Sequence, residues 1–132
     1  MERRNISTDT PWEPRIGYSR AVRVGSRVLV SGTTATNDRG DVVGIGNPYT
    51  QTIQALKNVE RALGEAGAKM TDVVRTRIYV TNLDHWEQVG RAHGKFFADI
   101  RPASTMLEVR RMVSEDMLVE IEAEAVVCDA EG

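Results

Sequence analysis

The sequence predicts an α+β fold, a mixed β-sheet carrying two helices on one of its faces. Three observations support this. Short runs of alternating apolar and polar residues recur near both ends of the chain and between them. Two longer stretches, starting near Pro48 and Asp84, place apolar residues at helical spacing. The strands also come in adjacent runs, which suits segregated layers better than repeated strand–helix–strand units. At 132 residues the chain fits one domain, 1–132, able to bury about two thirds of its unfolded surface.

The first strand is expected from Ser19 to Val24, and Gly25-Ser26 forms a two-residue hairpin turn into a second strand, Arg27 to Thr33. Asn37-Asp38-Arg39-Gly40 is a turn cluster. Gly44-Ile45-Gly46 is a surface loop, since it lacks the preceding strand and third glycine of a dinucleotide fingerprint. A helix should begin at Pro48 with Asn47 as its cap, bury Ile53, Leu56, Val59 and Leu63, and stop at Gly67. The third strand spans Val73 to Val80. Asp84-His85-Trp86-Glu87 has the form of a capping box, so the second helix should start there and run to about Asp99. It is expected to bury Trp86, Val89, Phe96 and Phe97. Gly90 and Gly94, four apart, would allow it to approach the sheet closely. Pro102 separates it from a strand at Ser104 to Val109, and a loop through Ser114-Glu115-Asp116 leads to the last strand, Leu118 to Val127. The order is therefore β-β-α-β-α-β-β.

Seventeen Lys and Arg against nineteen Asp and Glu give a net charge of −2. That balance, without an aromatic-and-basic platform, counts against a nucleic-acid partner. Apolar runs such as Val28-Leu29-Val30 are too short to span a membrane, so no membrane association is expected. Met1 to Asn5 lacks the apolar core of a secretory signal, and the single cysteine, Cys128, cannot form an internal disulfide. A cytoplasmic location is expected on both counts.

Strand alternation points to an open polar face. Arg75, Arg77 and Tyr79 share one side of the third strand, opposite Val74, Thr76, Ile78 and Val80. Glu120, Glu122 and Glu124 share one side of the last strand. Two helices can cover only one face, expected to be the aliphatic one. The other is either a solvated surface stitched by ion pairs or a contact surface between copies of the chain. Ser104, Met106 and Glu108 share a strand face and are expected to join this open side.

The segment Arg101-Pro102-Ala103-Ser104-Thr105-Met106-Leu107-Glu108-Val109, followed by Val119-Glu120-Ile121-Glu122-Ala123, resembles the signature of the RidA/YjgF family, also labelled endoribonuclease L-PSP. Gly17-Tyr18-Ser19-Arg20-Ala21-Val22, Ser31-Gly32-Thr33, Asp72-Val73-Val74 and Phe96-Phe97 continue the resemblance in order, from about Gly17 to Val127. It implies a chorismate-mutase-like fold and a homotrimer with ligand clefts between subunits. It further implies hydrolysis of small reactive imines and enamines without metal, nucleotide or flavin. Glu120 matches the carboxylate that handles water, and Tyr18 matches an aromatic lining the cleft. Gly32, with the main chain of Ser31 and Thr33, matches a segment of the same pocket.

Ser104 departs from the pattern. It stands where the family carries an arginine that grips the substrate carboxylate. A hydroxyl has one donor and no charge, whereas a guanidinium presents a rigid fork. Arg77 from the sheet, or Arg15 or Arg101 from loops, are the candidates to supply a cation instead. Met106 accompanies Ser104. Gly90 and His93 also depart, since relatives usually have asparagine and an aromatic near those positions.

Each residue has a plainer reading. Glu120 would pair with Arg75 or Arg77, Tyr18 would be a core tyrosine with a satisfied hydroxyl, and Gly32 would mark a strand end or bulge. His85 and His93 are eight apart without a ligand cluster and read as surface residues, so no metal site is expected. The expected function is a modified RidA-type cleft for a carbonyl, imine or enamine metabolite, with Glu120 catalytic if the site is active. The alternatives are a non-catalytic metabolite-binding module and, with less in its favour, an endoribonuclease.

Overall fold

The computed structural model describes residues 1–128. Its strands are β1 (Arg3–Ile6), β2 (Ala21–Val24), β3 (Arg27–Thr33), β4 (Val73–Val80), β5 (Ala103–Glu108) and β6 (Val119–Val126), with helices α1 (Pro48–Glu65) and α2 (Trp86–Phe97). All six strands join one sheet in the order β1-β2-β3-β6-β4-β5. β5 runs parallel to β4, and the other pairs are antiparallel. Both helices lie on one face, as the amphipathic patterns require. α1 crosses β3 and β6 and packs against α2.

Local chemistry explains most boundaries. Gly25 takes the left-handed conformation (φ 59°), which lets Val24 pair with Arg27 across a two-residue turn. Asn47 Oδ1 accepts the Thr50 amide at 3.0 Å and caps α1, while Gly67 (φ 81°) ends it with the Ala68 amide bonded to the Leu63 carbonyl. The apolar stripe of α1 buries Leu56, Val59 and Leu63 completely; Ile53 is only half-buried. Truncating either leucine to alanine costs about 2–5 kcal/mol.

α2 begins differently from the expected capping box. Asn82, not Asp84, provides the cap: its side chain accepts the Asp84 amide at 3.0 Å and opens a short 3-10 turn, Leu83–His85. Trp86 is the first helical residue and stays 57% exposed, so it is not part of the core. Val89 and Phe97 are buried, with Phe96 half-buried beside them. A Cβ on Gly90 or Gly94 would meet nothing within 4 Å, so close packing does not account for either glycine.

β1 was not foreseen. Only Ile6 of its four residues is buried, and a strand that earns its place through backbone pairing has no periodic signature. The segment after it folds around Glu13, which is buried in a one-turn π-helix, Glu13–Gly17. Its carboxylate accepts the hydroxyls of Thr8 (2.6 Å) and Thr10 (3.0 Å) and the Thr8 amide (3.3 Å). Burial pushes this carboxyl's pKa up, but hydrogen bonds from Thr8, Ser7 and Thr10 outweigh that and hold it below its usual value of 4.5. A depressed folded pKa stabilises the fold above the unfolded value, and this is lost as pH falls through the folded one. Glu13→Gln is therefore expected to lower the melting temperature at neutral pH, by an amount that shrinks steadily below about pH 4.5. A difference that stays constant down to pH 2 in paired thermal melts would contradict this.

The β4 face pattern holds from Arg75 onward but fails at its start. A register shift places Val73 opposite Ala125 and Arg75 opposite Glu124, so Val74 is the extra residue and is 46% exposed. Val73 takes the core position instead.

Candidate functional site

β6 alternates strictly, with Val119, Ile121, Ala123 and Ala125 buried under the helices and Glu120, Glu122 and Glu124 on the open face. Cross-strand neighbours occupy two of these glutamates. Arg77 Nη1 lies 2.9 Å from Glu124 and 3.9 Å from Glu122, Arg27 approaches Glu124 at 3.8 Å, and the Tyr79 hydroxyl donates to Glu122 at 3.1 Å. The bond to Glu124, more than any other contact, raises the pKa of Arg77. Arg77 is thus engaged within its own sheet.

Glu120 is different. It pairs with Tyr79 in register, yet its carboxylate accepts no hydrogen bond from the described residues. Its side chain extends across β3 and rests on Gly32, where a register shift between Val30 and Thr33 opens the strand. A Cβ at residue 32 would collide with Glu120 Oε2. Arg20 secures the same place: its Nη2 donates to the Gly32 carbonyl at 2.6 Å, and its guanidinium lies 5.9 Å from the centre of the Tyr18 ring. Burial raises the Glu120 pKa, the Arg20 charge opposes that, and Glu122 adds to it, leaving it above 4.5. A half-buried carboxylate without a protein donor is suited to take a proton from water.

Glu120, Gly32, Tyr79 and Glu122 line an open groove of about 880 Å³ whose far wall is the loop after β5, with Arg111, Met112 and Val113. Arg111 makes no ion pair with the described residues and is the cation of this groove. Gln51, fully buried in α1, holds the end of the loop. It donates to the Asp116 carbonyl at 2.8 Å and accepts the Leu118 amide at 2.9 Å.

The chain resembles known proteins along almost its whole length. A family model described as endoribonuclease L-PSP matches residues 8–127. Rv2704 of Mycobacterium tuberculosis, described as a member of the YjgF/YER057c/UK114 family, superposes with a TM-score of 0.86 at 45% identity, covering 96% of this chain and 100% of that one. The chain belongs to the RidA/YjgF family. Among its curated relatives, SCO2049 of Streptomyces coelicolor is 39% identical over 92% of this chain and 90% of its own. A RidA/YjgF relative from Dermatophagoides farinae, 31% identical over 95% of this chain and 97% of its own, is named 2-iminobutanoate/2-iminopropanoate deaminase.

Within one chain of this RidA/YjgF member, the candidate residues fall in four places. Gly32 and Glu120 meet at the groove. Tyr18 and Ser31 line a neighbouring hollow near the N-terminal segment, where the Ser31 hydroxyl donates to the Ser19 carbonyl. Thr33 is buried with the core. Ser104 and Met106 do not lie on the open face, which corrects the expectation from strand alternation. Parallel pairing sets Ser104 beside Thr76 and Met106 beside Ile78, both on the helix-covered side. Glu108 likewise turns to accept the Leu83 amide at 2.9 Å. His93 is also not a surface residue: it is half-buried, stacked on Phe97 at 4.7 Å and bonded to Thr76.

Two contributors were missed from sequence. Arg20 carried no signal beyond its place after Tyr18-Ser19, because its role depends on the bulge at Gly32. Arg111 sits on a loop with no periodicity to orient it. Arg15, a candidate for the cation, instead lies over the Trp12 ring at 5.8 Å.

Proposed function

We propose that this chain is a hydrolase of the enamine/imine deaminase type, acting on a small carbonyl-derived metabolite as a homotrimer with clefts between subunits. The observation that carries the reading is the Glu120 carboxylate, half-buried over bare Gly32, without a donor among the described residues and open to a groove. In the reaction Glu120 takes a proton from water as its oxygen adds to the imine carbon. Glu120 passes that proton to the nitrogen to give the carbinolamine. As its C–N bond breaks, the hydroxyl proton also moves to the nitrogen, which leaves as ammonia while the carbonyl product remains. The name of the mite relative supports the reaction class.

Assembly is supported by the open face. Leu29, Leu107 and Val24 are 42%, 53% and 36% exposed there, interleaved with the ion pairs. Ser104 also lies across β4 from β6 and on the opposite face from Glu120. Only a second copy can bring residue 104 to a groove containing Glu120.

An amino-acid oxidase that generates imines, with semicarbazide as the trap, tests the activity. The protein should reduce semicarbazone formation, and Glu120→Gln should lose this effect about 100-fold or more. Because the Glu120 pKa is raised, activity should climb with pH through a value above 4.5. Unchanged trapping across several amino acids rejects the deaminase reading, and a monomeric mass by light scattering rejects the assembly.

A further inference from the structure

Ser104 ends a chain of hydrogen bonds that begins inside the protein. Thr76, fully buried on β4, places its Oγ1 2.9 Å from His93 Nε2 and 2.8 Å from Ser104 Oγ. His93 reaches it from α2, fixed by its stack on Phe97. Ser104 itself is exposed, on the last strand of the sheet, where the outward backbone groups of β5 have no strand partner among the described residues. Two hydroxyls and an imidazole therefore connect the core to an open edge.

We infer that the Thr76–His93 pair presents Ser104 as an uncharged hydrogen-bonding group, so that the ligand carries a neutral polar group such as a carboxamide where it meets residue 104. The chain works in either direction. With Nε2 bare, Ser104 donates to Thr76, Thr76 donates to His93, and Ser104 offers lone pairs to the ligand. With Nε2 protonated, His93 donates to Thr76, Thr76 to Ser104, and Ser104 offers its proton outward. A primary amide, with both N–H and C=O, satisfies either arrangement. A carboxylate can only accept, and no cation hydrogen-bonds to Ser104 among the described residues. Burial lowers the pKa of His93, so the chain is uncharged at neutral pH. Thr76 already has His93 as a partner, so the core does not require the bond to Ser104.

The inference rests on the proposed cleft only in placing a small ligand beside residue 104. Pyruvamide and pyruvate are stable carbonyl probes that differ at one group, and both can be titrated onto the wild-type protein by calorimetry. Pyruvamide should bind about tenfold more tightly, the worth of one well-made hydrogen bond. Thr76→Val, close in shape, and His93→Phe, which keeps the stack on Phe97, should each remove that preference. Ser104→Arg should reverse it in favour of pyruvate. Preference for pyruvate, no binding of either probe, or an unchanged preference in both Thr76→Val and His93→Phe overturns the inference. Amide preference without imine turnover would instead reject the deaminase reading and leave this one standing.

Discussion

Gly32→Ala is expected to leave the fold intact and to remove most of the activity proposed for Glu120. The new Cβ would occupy the space of the Glu120 carboxylate, with its Cδ only 3.0 Å away and its Cγ 3.3 Å. Gly32 is not in the left-handed region, so alanine meets no backbone strain there. The obstruction is the far end of a flexible side chain, which can swing toward solvent. Stability should therefore change little, within about 1 kcal/mol, as for an ordinary surface change. Turnover in the imine-trapping assay should fall by about 100-fold. The displaced carboxylate should also lose part of its burial, so its pKa should move down toward 4.5 in a carbon-detected NMR titration. Full activity together with an unmoved Glu120 pKa would show that the bare glycine is not what holds the carboxylate.

Gln51→Leu should have the largest effect on stability. The side chain is completely buried and serves three backbone groups: the Gly44 carbonyl at 3.2 Å, the Asp116 carbonyl at 2.8 Å and the Leu118 amide at 2.9 Å. Leucine fits the volume but leaves all three unpaired, at a cost of about 3 kcal/mol in total. The melting temperature should drop by roughly 10 °C. Because Asp116 and Leu118 close the loop that carries Arg111, ligand binding in the groove should weaken as well. A drop below about 3 °C would mean that water has replaced the amide.

The sequence disclosed those parts whose cause is local. Asn47, Gly25 and Gly67 each act within a few residues of themselves, so the hairpin and the ends of α1 could be read directly. The two-residue alternation of β6 gave the separation of Glu120 from Ile121. Pairing across the sheet was the obstacle. Which side Ser104 faces depends on β5 lying parallel to β4, and no feature of either strand states that. The bulges near Val74 and Gly32 each insert one residue into a ladder, so the residues on one side of each bulge face opposite to what simple alternation predicts, as Val73 and Val74 do. His93 looked peripheral because its partners, Thr76 and Phe97, come from strand β4 and from the next turn of α2. Glu120 with Gly32 was legible through family resemblance. Arg20, Arg111 and the Ser104–Thr76–His93 chain needed three dimensions.

The strand order also bears on how the molecule comes into being. β6 is synthesised after the other five strands, yet it lies at the middle of the sheet, with β3 on one side and β4 on the other. Before it emerges from the ribosome, β1-β2-β3 and β4-β5 share no ladder, and two strand edges that are later interior stay bare. The sheet can close only after Val119–Val126 has been made, through contacts distant in sequence, which slows folding. Nascent chains stalled before Val119 should remain protease-sensitive and prone to association, whereas release of the complete strand should confer protection in one cooperative step.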